Sequence, residues 1–127
     1  MKFDEYLKIE QAKHNRKKPR QPERNLQEAC VRWFRLAYPK LFIFAVPNGG
    51  SRNQIEAHNM RLSGVVAGVS DLVVVGNGKV LFVEMKIAKG RQSERQKEFQ
   101  EIVESLNHKY VVCRSFEGFK KEIDLWV

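Results

Sequence analysis

At 127 residues the chain is sized for one domain with a single core. Its 43% hydrophobic and 30% charged content is that of an ordinary globular protein, with no run near the roughly 20 apolar residues that span a bilayer. The charged start does not read as a signal peptide, so a cytoplasmic protein is expected, and a formal charge of +8 with pI near 9.7 points to a polyanionic partner, chiefly nucleic acid.

Residues 1–24 read as a basic arm or short helix, with eight Lys or Arg against four Asp or Glu. Phe3, Tyr6 and Leu7 fit one helical face. His14 to Pro22 is polar and basic, and Lys17 and Lys18 within it are candidate phosphate contacts. A solvated tail is the competing reading. The globular pattern, residues 25–127, starts with Leu26, Cys30, Trp33, Phe34 and Ala37 at helical spacing, ended by Pro39. Leu41 to Val46 is a continuous apolar strand, closed by Pro47-Asn48-Gly49-Gly50. Asn53 to Ser63 reads as a weaker helix with Gly64 as its C-terminal cap.

Two apolar runs follow, Asp71 to Val75 and Val80 to Met85, joined by Gly76-Asn77-Gly78-Lys79. Asn-Gly in that position predicts a two-residue type I′ hairpin turn, which needs positive φ at both residues. Leu72, Val74, Leu81 and Val83 fall on one face, Val73, Val75, Val80 and Phe82 on the other. A sheet apolar on both faces calls for helices on both. Ser93-Glu94-Arg95-Gln96 fits a capping box that opens a helix with Phe99, Ile102, Val103 and Leu106 inward. Tyr110 to Cys113 is a fourth strand, and Ser115 caps a last helix carrying Phe116, Phe119, Ile123 and Trp126. The expected fold is α/β, a mixed four-stranded sheet flanked by helices in the order α-β-α-β-β-α-β-α. Cys30 and Cys113 lack metal or disulfide spacing and read as buried free thiols. His14, His58 and His108 show no ligand spacing either.

The hairpin register carries the chemistry. If Asn77 and Gly78 form the turn, Gly76 pairs with Lys79 and, counting outward, Asp71 pairs with Glu84. Like charges directly opposed across two strands destabilise a sheet, so the pair calls for a compensating cation. Lys86 lies two residues beyond Glu84 and points to the same face. A divalent metal beside a lysine is the chemistry of a phosphodiester-cleaving site. The plain alternative is a surface hairpin with an ion pair between Glu84 and Lys86.

Ser70-Asp71, twelve intervening residues and Glu84-x-Lys86 resemble the PD-(D/E)xK nuclease signature. Asn48-Gly49-Gly50-x-Arg52, Gly64-Val65-x-x-Gly68-Val69-Ser70-Asp71 and Gly90-Arg91-x-Ser93-x-x-Gln96 are similar to the VRR-NUC branch of that superfamily, from about Asn25 to Trp126. The resemblance implies a restriction-endonuclease-like core and an Mg²⁺- or Mn²⁺-dependent DNA endonuclease. In that reading Asp71, Glu84 and the backbone carbonyl of Met85 bind the metal, and Lys86 orients water or stabilises developing charge. Glu28 resembles the acidic residue of the first helix, which reaches the metal directly or through water; Asn25-x-x-Glu28 also suits a helix cap. Gln96 has a role near the scissile phosphate and a competing one in the Ser93 capping box. Arg52, Arg61 and Arg91 are candidate phosphate contacts, since arginine binds phosphate bidentately. Asn48, Gly49 and Gly50 suit close backbone approach to a phosphate, or simply a turn. Ser70 stands where the superfamily's name has proline, which supplies no ligand.

By the same resemblance, the enzyme is expected to act as a homodimer on branched or four-way-junction DNA. The alternatives are a catalytically silent nucleic-acid-binding module on the same fold, and a subunit of a larger machine.

Overall fold

A computed structural model describes residues 2–16, 22–47 and 53–127. The elements run α1 (Phe3–Arg16), α2 (Pro22–Ala37), β1 (Phe42–Ala45), α3 (Gln54–Leu62), β2 (Leu72–Val75), β3 (Val80–Met85), α4 (Glu94–Ser105), β4 (Lys109–Cys113) and α5 (Phe116–Trp126). From α2 onward this is the expected order, and the strands form one sheet in the sequence β1-β2-β3-β4. β1 pairs antiparallel with β2, the hairpin makes β2/β3 antiparallel, and α4 crosses over to make β3/β4 parallel. Among the described residues no helix is long and apolar enough to cross a membrane.

Local chemistry sets the element ends. Pro22 occupies the first helical position of α2, where its missing N–H costs nothing, and Glu23 follows in the positively charged first turn. Asn53 caps α3 through its side chain, and Gly64 just beyond that helix takes φ +105. The capping box of α4 is present in both directions, Ser93 Oγ accepting from Gln96 N–H and Gln96 Oε1 accepting from Ser93 N–H. The hairpin turn keeps its expected length, with Gly76 N–H donating to the Lys79 carbonyl at 2.9 Å. Its type differs from expectation. Only Gly78 has positive φ (+73), and Asn77 does not, so the φ signs are those of a type II turn.

One sheet face is fully covered. Leu72, Val74, Leu81, Val83 and Met85 pack there against Cys30 and Phe34 of α2 and Phe119, Ile123 and Trp126 of α5. Cys30 and Cys113 are buried free thiols in this layer, both pushed up to about 12 mainly by burial and therefore unreactive. Phe3 and Leu7 of α1 share an apolar cleft with Ala29, Trp33 and Phe116.

The opposite face is covered in part, against expectation. Helix α4 lies over β3 and β4, with Phe99 edge-on to Phe82 at 5.3 Å and Val103 buried. Over β1 the apolar residues stay exposed: Phe42 is 60% and Phe44 38% accessible. Helix α3 has no buried residue and does not fill this gap. Ile102 and Leu106, expected inward, are exposed, Ile102 lining an open cleft with Val65 and Val66 instead. Ala37, at the end of α2, is also exposed.

This seating of α4 predicts that Val103→Ala costs about 1.5–2.5 kcal/mol of stability, from methyl groups lost out of a packed layer. Ile102→Ala should cost under about 0.5 kcal/mol, as an exposed substitution does. Urea denaturation of the two variants checks the difference.

Candidate active site

The β2/β3 ladder pairs Leu72 with Val83 and Val75 with Val80, which is the register the turn arithmetic requires. One step beyond Leu72, the Asp71 carbonyl accepts from Val46 N–H at 2.9 Å, and Glu84 pairs with Val112 of β4. Asp71 and Glu84 therefore lie in one cross-sheet row. The Asp71 carboxylate is pinned by the backbone of β3, its Oδ2 accepting the Met85 N–H at 2.8 Å.

Glu84 is the electrostatic centre of the site. It is fully buried, and neither carboxylate oxygen has a hydrogen-bond partner. Burial above all, then the adjacent Asp71 carboxylate, pushes its carboxyl up to about 9. The Lys86 charge pulls the other way, and that of Glu23 adds to the rise. No ion pair forms between Glu84 and Lys86, so the plain hairpin reading loses its stabilising contact. Two carboxylates in this arrangement can share a proton or hold a hard cation between them.

The surroundings hold this row from three sides. Ser70 is buried, and its hydroxyl donates to the Leu72 carbonyl at 3.0 Å, tying down the chain just before Asp71. Gly68 (φ +85) lies directly on the first turn of α4. A Cβ there would stand 2.4 Å from the Arg95 carbonyl and 2.8 Å from Gln96 N, so a side chain at 68 would push the Asp71 segment away. After Lys86 the chain turns through Ala88 at φ +41, and Arg114 holds that turn by donating to the Ala88 (3.0 Å) and Gly90 (2.6 Å) carbonyls. Arg114 was not a sequence candidate. Its partners are backbone atoms that no motif displays.

The remaining candidates divide. Gln96 performs its capping role, which occupies its side-chain oxygen and leaves only the NH₂ for any other partner. It lines a cleft of about 350 Å³ with the exposed Arg61 and with Gly68. Arg91 is exposed. The capping role considered for Glu28 falls away, because α2 begins at Pro22 and Asn25 is already inside it. Glu28 pairs with Arg24 at 3.3 Å and faces a different cleft, beside Tyr6, Arg32 and Arg35. Among the described residues no three His, Cys, Asp or Glu side chains gather as a metal cluster. Glu23, also on α2, is a carboxylate whose charge raises Glu84, and the sequence reading passed over it. Lys17, Lys18, Asn48, Gly49 and Arg52 lie outside the described residues.

Comparison with known proteins decides the family. The VRR-NUC domain model matches residues 7–117. The chain belongs to the VRR-NUC family. That places it in the PD-(D/E)xK nuclease-like superfamily, and its mixed sheet and flanking helices are consistent with that core. Among solved structures, one titled "VRR_NUC domain protein" is similar with a TM-score of 0.67 and 20% identity, covering 86% of this chain and 90% of that one. Another, titled "VRR_NUC domain", has a TM-score of 0.59 and 20% identity over 83% of this chain and 97% of the other. These likenesses concern the fold. No curated protein matches this VRR-NUC chain.

The state of Glu84 predicts how this VRR-NUC protein responds to pH. Its folded carboxyl titrates near 9 against an ordinary 4.5, so its contribution is most favourable below 4.5 and is lost as pH rises toward 9. In EDTA the melting temperature should fall across that window, and Glu84→Gln should remove most of the slope and raise the melting temperature at pH 8. Thermal denaturation from pH 5 to 9 measures both.

Proposed function

We propose that the chain is a metal-dependent nuclease that hydrolyses DNA phosphodiesters at the Asp71–Glu84 row. The observation that carries this is the buried Glu84 carboxylate, with both oxygens unpartnered, set beside an Asp71 carboxylate that a backbone N–H already aims. Family membership, which implies a nuclease-like fold, and the +8 charge of the chain support it.

The donor set fits Mg²⁺ or Mn²⁺. Hard carboxylate oxygens from Asp71 and Glu84, with the Met85 carbonyl, suit either ion, and orphaned buried oxygens are what such an ion satisfies. Glu28 on α2 belongs to the same proposal as a carboxylate acting directly or through a water, and Glu23, whose charge already reaches Glu84, is a second candidate for that role. A bound divalent cation would neutralise charge on the phosphate and lower the pKa of a coordinated water.

The protein's own groups then have defined tasks. Asp71 and Glu84 hold the anionic end of the site in fixed geometry. Lys86, on the same face, donates to a phosphate oxygen as negative charge builds there, or orients the attacking water. Water gives up a proton to solvent as its oxygen bonds to phosphorus, the bridging P–O bond breaks, and the departing oxygen takes a proton from solvent. Arg61 at the cleft edge and Arg91 beyond Gly90 supply charge for the flanking phosphates. Lys17, Lys18 and the Asn48–Arg52 segment belong to the same proposal. Action on branched or four-way-junction DNA, as a cytoplasmic homodimer, is its finer form and rests on the family resemblance.

Labelled junction, flap and linear duplex, incubated with Mg²⁺, Mn²⁺ or EDTA, test the reading. Cutting should require the metal. Asp71→Asn and Glu84→Gln should each abolish it, and Lys86→Met should lower it by at least 100-fold, consistent with roughly 3 kcal/mol for one charge-stabilising donor. Equal cutting of junction and duplex would remove the junction preference alone. Salt-sensitive binding without turnover under either metal would instead identify a silent binding module.

A further inference from the structure

Lys86, the cation of the proposed site, is fixed by its backbone and not by its head. Its N–H donates to the Cys113 carbonyl at 3.0 Å, at the end of β4. Among the described residues its ammonium has no hydrogen bond or ion pair. A flexible four-carbon stem with a free head is directed by whatever packs along it.

What lies along that stem is the loop that follows. A Cβ added at Gly90 would stand 3.5 Å from Lys86 Cδ and 3.7 Å from Lys86 Cβ, so the loop backbone passes beside the side chain. The loop arrives there by an unfavourable route. Ala88 takes φ +41, the left-handed region that crowds the Cβ of an L-residue. Such a conformation persists only where its surroundings hold it. The holder is Arg114, next in the chain after Cys113. One of its terminal nitrogens donates to the Ala88 carbonyl at 3.0 Å and to the Gly90 carbonyl at 2.6 Å. The far end of the loop has its own anchor, where Gln92 Nε2 donates to Gln100 Oε1 at 3.0 Å and to the Tyr110 hydroxyl at 3.1 Å. Consecutive residues at the end of β4 thus hold both parts of Lys86, Cys113 its backbone and Arg114, through the loop, its stem.

We propose that Arg114 is a positioning residue for Lys86: it holds Ala88 in a strained conformation through the carbonyls of Ala88 and Gly90, and so fixes the loop along which the Lys86 stem lies. Arg114 need touch neither phosphate nor metal to do this. The inference rests on the nuclease reading for what Lys86 does, but the holding of the loop is observable without substrate. Arg114 and Ala88 are both exposed, so replacing either leaves the core intact.

Two measurements on the full chain test it. The first is hydrogen exchange at the Lys86 and Gly90 amides, both hydrogen-bonded, followed by NMR in EDTA. Arg114→Ala should speed it about tenfold, the scale of one lost holding contact. Ala88→Val, whose β-branch disfavours positive φ, should do the same with Arg114 in place. Arg114→Ala/Ala88→Gly should return it to within about threefold of wild type, since glycine takes positive φ without strain. The second is cleavage of labelled DNA with Mn²⁺. Its kcat should fall about tenfold in Arg114→Ala and in Ala88→Val with KM within about twofold, and recover in Arg114→Ala/Ala88→Gly. In a Lys86→Met background Arg114→Ala should add less than about twofold, as for residues that act as one unit. A loss that Ala88→Gly does not repair, a rise in KM at unchanged kcat, or a full further loss on Lys86→Met overturns the proposal and makes Arg114 a direct phosphate contact. Unchanged amide exchange in Arg114→Ala overturns it as well. If the wild-type chain cuts no DNA under either metal, the nuclease reading fails, and the exchange results alone decide whether Arg114 positions the loop.

Discussion

Two carboxylates placed side by side at the end of an apolar ladder are the constraint around which the structure is arranged. Glu84 lies in the middle of a three-strand row, buried between Asp71 and Val112, with no donor to either carboxylate oxygen. Asp71 cannot swing away, because Met85 N–H holds it. The protein therefore carries a standing electrostatic cost that only a proton or a cation relieves. Ser70, Gly68 and Arg114 all tie down chain on one side or the other of that pair, which is how a fold keeps an unfavourable geometry from relaxing.

The two faces of the sheet are used differently. One is a sealed core, with α2 and α5 closed over β1 to β4 and clamped by the Tyr38–Asp124 hydrogen bond and by Lys79 against the end of α5. The other carries the carboxylate row. It is roofed by α4 only over β3 and β4, and its bare end shows two phenylalanines. Stability is thus concentrated on one side, and the side with the site stays open at an edge.

What could be read beforehand followed from short-range rules. Asn77-Gly78 sets a two-residue turn, period-two alternation sets the faces, and together they place Asp71 opposite Glu84. The turn type was not recoverable, since Gly78 alone supplies the positive φ. Glu23 was missed because the start of α2 was set at Asn25, three residues too late; Pro22-Glu23 was the available signal, a proline suited to the first helical position followed by an acid in the first turn. The exposure of Phe42, Phe44 and Ile102 was not legible at all. An apolar residue reads the same whether or not a helix arrives to cover it, and that depends on where α4 docks.

On the proposed function, Glu84 is held protonated without metal and gives up that proton when a divalent cation binds beside Asp71. Calorimetric titration of Mn²⁺ at pH 7, repeated in buffers of different ionisation enthalpy, counts the protons released. About one proton per site should be released by the wild-type chain and none by Glu84→Gln, since coordination requires the carboxylate form. Binding with no proton release, or with the same release after Glu84→Gln, would contradict it.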